Sequence, residues 1–303
     1  MRHPRIGLNL PYSEGQLGGE TPRWTDIRGL AQLAEDMGFD SIWMSDHIGF
    51  GDPAGTSPGA WRGAWDSWTM LAALAEATSR VRLGNYVLCT PFRNPALLAK
   101  MAETLDEVSG GRLILGLGAG WNEIEFSAYG FPFADRFDRF EDDLRIIASM
   151  LRTGRATHAG RVEHAHDARI EPRGPRPNGL PVMVGAARPR LIRLTAELAD
   201  HWNGSLHTVE ETRDLLTAVD AACRAVGRDP ASLTRSVEIL VRTLAADPDE
   251  PPRDHELRGV AAITSTIRTY ADLGIDELQV QFVPNTPASV EAFAPVLEAL
   301  ATG

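Results

Sequence analysis

Asp46 and His47 are the neighbouring side chains of this sequence with the clearest capacity for proton chemistry. A histidine can donate or accept a proton near neutral pH, and a nearby carboxylate can stabilise its charged form. The pair ends an apolar run that begins at Ser41, so it lies where a buried strand would stop. Because adjacent residues on a strand point to opposite faces, the two side chains need not be in contact. The residues alone leave two interpretations open, a reactive site and a capping aspartate beside an ordinary histidine.

A second group of residues follows an apolar run in the stretch Arg112–Gly130. Three glycines at alternate positions lead into aromatic, amide and acidic side chains: Gly116, Gly118, Gly120, Trp121, Asn122 and Glu123. Glycine at a strand end usually indicates that another backbone or a flat ligand comes close. The same glycines could serve only the packing of a strand against a helix. Likewise, Trp121 and Asn122 could line a cleft, or Trp121 could be a plug over the mouth of a barrel.

A third group, Gly185-Ala186-Ala187-Arg188, lies between an apolar run and a helix. The backbone N–H groups at a helix N-terminus, with an arginine beside them, favour an anion such as phosphate. A surface arginine is often only solvated, so Arg188 is open to both interpretations.

The composition is that of a globular enzyme: 43% of the 303 residues are apolar and 23% are charged. A net charge of −11, without a basic stripe, argues against nucleic acid or an anionic membrane as a partner. No apolar run approaches the ~20 residues of a membrane span, and no signal peptide is visible, so we expect a cytoplasmic protein. Cys89 and Cys223 are expected to be buried, reduced thiols.

Eight apolar runs alternate with amphipathic helices along the chain. The runs are Arg5–Pro11, Ser41–His47, Val81–Cys89, the run at Leu113, Leu180–Ala187, His201–Gly204, Val237–Leu244 and Glu277–Val283. Short connections favour parallel pairing with right-handed crossovers, and eight such units close into a (β/α)₈ barrel of typically ~250 residues. We therefore predict an α/β protein, a single TIM-barrel domain over residues 1–303 with loop insertions at its C-terminal face. An open doubly wound sheet is disfavoured because no nucleotide-binding glycine loop follows the first run.

In such a barrel the reactive groups lie at the carboxyl ends of the strands. Those ends are mostly polar and aromatic: Asn9, Asp46, His47, Tyr86–Thr90, Gly118–Glu123, Gly185–Arg188, Trp202, Asn203, Arg242 and Gln281. The three groups described above therefore converge on one predicted cleft.

The stretch GLGAGWNEIEFSAYGFPF and the acidic helix after it closely resemble the luciferase-like monooxygenase superfamily. SIWMSDH and LPVMVGAARPRLIRLTAELADHWNG extend the likeness over nearly the whole chain, and the most similar branch uses the deazaflavin coenzyme F420. The resemblance implies hydride transfer between F420 and a small organic substrate, and commonly a homodimer. The alternative within the superfamily is an FMN-dependent monooxygenase that needs a separate reductase.

The resemblance also implies roles for individual residues. His47 would donate a proton or contact the substrate, and Asp46 would bind the polar edge of the ring. The family often carries a non-proline cis peptide near Tyr86, against the ring. Its phosphate loop contains glycines at two positions where this chain has alanine. Together with the residues above, the candidate cofactor-binding set is Asp46, Asn85, Tyr86, Val87, Gly118, Gly120, Trp121, Asn122, Gly185, Ala186, Ala187 and Arg188.

Two rival classes of function remain open. The altered phosphate loop is compatible with a barrel that binds a flavin or deazaflavin without catalysis. A metal-dependent barrel hydrolase would need a ligand set, but His158, His164 and His166 lie in a polar segment away from every strand end, so we predict no metal site.

The loops after the second and seventh strands carry no readable substrate code. Trp61, Trp65 and Trp68, in and just after the loop Ile48–Trp65, are spaced either to form a lid over a pocket or only to pack. The acidic loop Asp247–Pro252 gives no indication of a ligand.

Overall fold

The computed structural model describes residues 3–51, 61–244 and 253–302. Within them, eight parallel strands form a closed barrel. The strands are β1 (Arg5–Asn9), β2 (Ser41–Met44), β3 (Arg82–Asn85), β4 (Leu113–Gly118), β5 (Val182–Gly185), β6 (His201–Gly204), β7 (Thr234–Arg242) and β8 (Glu277–Phe282). Each strand pairs with the next, and β8 pairs with β1, so the sheet has no free edge along the barrel. The predicted (β/α)₈ fold is confirmed, whereas a single domain over residues 1–303 stays a prediction.

Helices follow the strands as the apolar periodicity indicates. They are α1 (Trp24–Met37), α2 (Ser67–Ala77), α3 (Pro95–Val108), α4 (Glu123–Tyr129), α5 (Arg136–Thr153), α6 (Pro189–Leu198), α7 (Val209–Ala225), α8 (Val260–Asp272), α9 (Pro287–Glu291) and α10 (Ala294–Ala301). Helix α3 begins at the cap that the sequence predicts, because the Asn94 side chain accepts a hydrogen bond from the N–H of Leu97 and Pro95 needs no donor. The capping box of Thr208 and Glu211 opens α7 in the same way.

Two elements differ from those that the sequence predicts. The run Val81–Cys89 was expected to be one strand, but it divides at a cis peptide between Tyr86 and Val87. The strand β3 therefore ends at Asn85, and the separate short strand Leu88–Cys89 pairs with β4. The pattern that begins at Thr286-Pro287 predicts one last helix, but the structure has two short helices there, α9 and α10.

The polar segment after α5 folds as the expected hairpin, Arg155–Ala159 against His164–Arg169, and packs on α3 and α5. It lies outside the barrel, and the imidazole Nε2 of His158 lies 2.9 Å from Oδ1 of Asp142 on α5. Among the residues that the structure describes, no three potential ligands lie close enough to hold a metal ion.

Extra structure does lie beyond the carboxyl end of the barrel. Gly49–Phe50 pairs with Arg62–Gly63 after β2, and α4 follows β4. The middle of the first insertion, residues 52–60, lies outside the described residues, as does the acidic loop Asp247–Pro252.

A large indole fills the barrel interior below this end. Trp43 on β2 is fully buried with Ile114 and Met183, and Tyr86 and Val87 pack against the three. A Cβ at Gly84 would lie 2.1 Å from the Trp43 ring, so β3 is glycine there to make room for it. This cluster fills the barrel directly below the region where a ligand site can lie.

Candidate active site

A cavity of about 480 Å³ opens at the carboxyl ends of the strands. This volume is in the range of small-molecule and cofactor sites. Most of the predicted site residues line it: Asp46, His47, Tyr86, Val87, Gly118, Gly120, Trp121, Gly185, Ala186, Ala187 and Arg188. Residues far apart in sequence thus meet in one cleft, as the barrel requires.

His47 is held by a carboxylate other than its neighbour. Its Nδ1 lies 2.9 Å from Oε1 of Glu125 on α4, and the N–H of Gly49 donates to the same oxygen at 3.3 Å. Glu125 is buried, so the contact is shielded from solvent. Within the described chain, Nε2 makes no hydrogen bond, which leaves that nitrogen for a ligand. The arrangement is that of an acid–base histidine oriented by a second group.

Aromatic rings surround this imidazole, and two of them, Tyr12 and Trp121, line the cavity. The ring centroids of Phe50, Trp121 and Tyr12 lie 4.5, 5.6 and 6.2 Å from that of His47. Trp121 is 69% exposed, so it is a wall at the mouth rather than a buried plug.

Asp46 lines the cavity, but its carboxylate is hydrogen-bonded to other parts of the protein. Arg93 donates to both of its carboxylate oxygens, at 2.6 and 2.9 Å. The hydroxyl of Ser67 and the N–H of Cys89 donate to them as well, at 2.8 and 3.0 Å. With its acceptors occupied, the Asp46 carboxylate joins the loops under the cavity, and its contact with the polar edge of a ring stays a prediction.

The two predicted asparagines are not among the residues that line the cavity. Asn85 is fully buried, and its Nδ2 donates to the hydroxyl of Ser67 at 3.0 Å. Nδ2 of Asn122 donates to the carbonyl of Gly49 at 3.3 Å. Both amides hold neighbouring loops together, and their contact with a cofactor stays a prediction.

The glycines of β4 are required by the segment that contains the cis peptide. A Cβ at Gly116 would lie 1.9 Å from the carbonyl oxygen of Asn85, and one at Gly118 would lie 2.5 Å from Cγ2 of Val87. Gly120 has a φ of +76°, and a Cβ at this position would clash with the side chains of Cys89 and Phe126. The close approach indicated by these glycines is therefore made by the protein itself, which presses Val87 toward the cavity.

The candidate anion end lies at the start of α6. Ala187 and Arg188 are exposed there, and the guanidinium of Arg188 lies 5.5 Å from the ring centroid of Phe137. Arg136 stacks on the same ring at 4.4 Å. The N–H of Ala186 already donates to the carbonyl of Asn203 at 3.1 Å. Two guanidinium groups at one end of the cavity fit an anionic ligand group.

Sequence reasoning missed a buried carboxyl in the cavity wall, Glu238 on β7. The Tyr86 hydroxyl donates to its Oε2 at 2.8 Å, and Nδ2 of Asn9 lies 3.2 Å from its Oε1. Burial raises the pKa of Glu238 to about 7, and it raises the pKa of Tyr12, which lines the same cavity, to about 12. The signal for Glu238 was a single acidic residue within an apolar run, in mid-strand rather than at a strand end.

Other expectations for this region have mixed outcomes. Cys89 and Cys223 are buried and unpaired, as predicted. Arg242 pairs with Glu256, with Nε 2.9 Å from Oε1, rather than lining the cavity. Asn203 and Gln281, from the same set of strand ends, do line it.

The tryptophans proposed as a lid do not line the cavity either. Trp68 is buried in the core, Trp65 donates to the carbonyl of Pro22 at 2.7 Å, and Trp61 packs over Gly49. Packing, the second interpretation, describes these three.

Residues 5–276 match the family model described as luciferase-like monooxygenase. An F420-dependent glucose-6-phosphate dehydrogenase of Amycolatopsis mediterranei is 32% identical to this chain. The match covers 76% of this chain and 66% of that relative's length. Among solved structures, an F420-dependent secondary alcohol dehydrogenase in complex with an F420–acetone adduct matches with a TM-score of 0.80 at 19% identity, over 99% of both chains. The EDTA monooxygenase of Chelativorans sp. BNC1 matches with a TM-score of 0.81 at 15% identity, over 99% of this chain and 94% of that one.

Proposed function

The chain belongs to the luciferase-like monooxygenase family, and we propose that it is an F420-dependent oxidoreductase that transfers a hydride between the deazaflavin and a small organic substrate. The observation that carries the proposal is the imidazole of His47, which lines the cavity, is held through Nδ1 by buried Glu125 and has no hydrogen bond to Nε2 within the described chain. The sequence likeness to an F420-dependent dehydrogenase supports the choice of cofactor.

The residues present fit such a cofactor. Val87, Ala119 and Ala186 give one part of the cavity a small, apolar surface suited to a flat ring. Arg136 and Arg188 supply cations at the other part, where a phosphate or a carboxylate would be stabilised. The alanines at 186 and 187 are small enough to leave that end open, although the resembled family has glycines there.

F420 would supply a two-electron hydride acceptor or donor, and the protein would supply orientation and a proton. In the direction of substrate oxidation, His47 would accept the proton of the substrate hydroxyl. In the reverse direction it returns that proton to the carbonyl oxygen. The carboxylate of Glu125 stabilises the imidazolium formed in the first case.

An FMN-dependent monooxygenase with a separate reductase is the second candidate. Likeness of fold does not separate the two, because the F420-dependent dehydrogenase and the monooxygenase superpose equally well on this chain. A non-catalytic binding barrel is the third candidate, and the oriented His47 argues against it.

The proposal includes a small-molecule substrate and a homodimer, and it includes neither nucleic acid nor a membrane as a partner. No described helix is both long and apolar enough to cross a membrane. A cytoplasmic location and the dimer stay predictions, and size-exclusion chromatography with light scattering tests the latter.

The test of activity uses F420 in both redox states against panels of alcohols, sugar phosphates, aldehydes and ketones. We expect the deazaflavin absorbance to fall with one class of alcohol and to recover with the matching carbonyl compound. A substrate deuterated at the oxidised carbon should transfer its label to the cofactor, as seen by mass spectrometry. Oxygen consumption with reduced FMN, and no turnover with F420, would instead support the monooxygenase.

A further inference from the structure

Glu238 is a buried acid of the cavity wall that takes part neither in the proton chemistry of His47 nor in the ion pair of Asp46 with Arg93. It is 5% exposed and lines the cavity from mid-strand in β7. Its hydrogen-bond partners in the described chain are both neutral, the hydroxyl of Tyr86 and the side-chain amide of Asn9. A buried carboxylate without a cationic partner is costly, because desolvation is not offset by an opposite charge.

The other buried glutamate of the barrel interior shows the contrast. Glu277 on β8 is fully buried, but Arg5 and Arg82 lie 3.4 and 3.0 Å from its Oε2. Ser41 donates to its Oε1 at 2.5 Å. One carboxylate of the barrel is thus neutralised by cations, and the other is surrounded by groups that suit either protonation state.

The Asn9 amide is one such group. Its Oδ1 is buried without a hydrogen-bond partner, while its Nδ2 faces Oε1 of Glu238. With the added proton on Oε2, the amide Nδ2 donates to Oε1 of Glu238 in either protonation state of the acid.

The Tyr86 hydroxyl is the other group that suits either protonation state of Glu238. It donates to a Glu238 carboxylate, but it can accept from a Glu238 acid and then turn its own hydrogen elsewhere. Ser205, whose Oγ lies 3.5 Å away, also lines the cavity, so this hydrogen then points along the cavity wall. Burial raises the pKa of both groups, to about 7 for Glu238 and well above the usual value for Tyr86.

We propose that Glu238 and Tyr86 form a proton-responsive pair in the cavity wall, in which protonation of Glu238 releases the Tyr86 hydroxyl to donate to an anionic or electron-rich edge of the bound ring. The pair lies against the interior cluster on which Tyr86 packs, so it reaches the ligand from the barrel side. The inference rests on the proposed function only for the identity of the ligand.

The proposed step is the uptake of a single proton. When an anionic edge binds, one proton from solvent forms the O–H bond of Glu238, and the Tyr86 O–H bond stays intact while it turns. Of the other groups that face Glu238, Tyr12 after β1 is a neutral phenol, and Gln279 on β8 and Asn203 on β6 carry no charge. No basic side chain of the described ranges pairs with Glu238, so the proton itself is the neutralising charge.

The first test needs no cofactor. Infrared difference spectra of the apo protein should show carboxylic acid absorption at pH 5 that fades toward pH 8, and Glu238→Gln should remove the share of it that belongs to one acid. Asp143→Asn is the matched control, because burial also raises the pKa of Asp143 to about 7 but this residue does not line the cavity. A Glu238 that is ionised throughout this range would overturn the proposal.

The second test counts protons on binding. Titration calorimetry with F420 at pH 7.5, in buffers of different ionisation enthalpy, should show that the wild type takes up more protons than Glu238→Gln, by up to one. Asp143→Asn should match the wild type, and Tyr86→Phe should bind F420 roughly 10-fold more weakly, as for the loss of one hydrogen bond to a charged group. Equal proton counts for the wild type and Glu238→Gln would overturn the pair. Failure of F420 to bind at all would remove the proposed function, and the infrared result would then decide the inference alone.

Discussion

The Nδ1 atom of His47 lies 2.9 Å from the Oε1 atom of Glu125, a residue 78 positions further along the chain. The histidine lies in the loop after β2, and the glutamate lies in the short helix α4, after β4. The neighbour of His47 in sequence, Asp46, is instead bound to Arg93. The acid–base unit of the cavity is therefore assembled across the barrel mouth and not along one strand.

Replacing His47 tests its role directly. We expect His47→Ala to lower turnover by roughly 10²-fold or more, because the acid–base group is lost, while the affinity for cofactor changes by only a few fold. Steady-state kinetics and a binding titration measure the two effects. His158→Ala, in the hairpin outside the barrel, is the control and should keep full activity. Unchanged turnover in His47→Ala would remove the acid–base role.

Glu125 should act only through His47. We expect Glu125→Gln to lower kcat by roughly 10-fold, since the amide orients the imidazole but does not stabilise its charged form. The discriminating measurement is a double-mutant cycle. In the His47→Ala background the second substitution should have almost no further effect on kcat, whereas a general structural role would make the two losses multiply.

Arg93 should matter for stability more than for chemistry. Arg93→Ala leaves the Asp46 carboxylate buried and unpaired, so we expect the free energy of unfolding to fall by about 3 kcal/mol. Urea unfolding measures the change. Arg93→Lys keeps the charge but not the two-point contact, so its free energy of unfolding should lie between those of the wild type and Arg93→Ala. A loss below about 1 kcal/mol would contradict a structural role for Asp46.

Arg188 should set cofactor affinity at the anion end. We expect Arg188→Ala to weaken binding of F420 by roughly 10-fold and to reduce the dependence of affinity on salt, because an exposed cation is lost. Arg190 is the matched control on the same helix, since its guanidinium pairs with Asp138 and Glu141 and does not line the cavity. Equal losses in both variants would show that the effect is not specific to the cavity.

Stability should fall as the pH rises through the range in which the buried acid Asp143 ionises. Burial raises the pKa of Asp143 from 3.8 to about 7, so the folded state keeps a proton that the unfolded state has already released. Between about pH 4 and 7 the folded protein binds more protons, and the free energy of unfolding decreases with pH. Asp143→Asn should therefore lose less stability than the wild type between pH 5 and 8, as measured by urea unfolding. An identical pH dependence in the two proteins would contradict the raised pKa.

The fold and most of the cleft could be predicted because both follow from local patterns. Eight apolar runs with short connections specify a barrel, and the barrel places strand ends such as His47 and Gly185 on one face. Side-chain direction could not be predicted in the same way. Asp46 is adjacent to His47 but turns to Arg93, a residue whose approach depends on the packing of α2 and α3.

Glu238 and Glu125 were missed for a related reason. Glu238 lies in mid-strand, where a purely apolar interior was expected, and only the burial and neutral surroundings seen in the structure distinguish it from a paired acid like Glu277. Glu125 is one of several acids in a segment that the sequence marks only as acidic. Which of them turns inward is set by the close contact between α4 and the strand at Gly49.

The most direct test of the central claim is a parallel titration of the apo protein with F420 and with FMN, followed by tryptophan fluorescence. Trp121 lies in the cavity wall, so quenching should report occupancy, and Trp121→Phe should lose most of the signal while keeping affinity. The proposed function predicts saturable binding of F420 at micromolar concentrations and none of FMN. Binding of FMN alone would make this protein a flavin-dependent monooxygenase, and binding of neither would contradict the assignment of the cavity as a cofactor site.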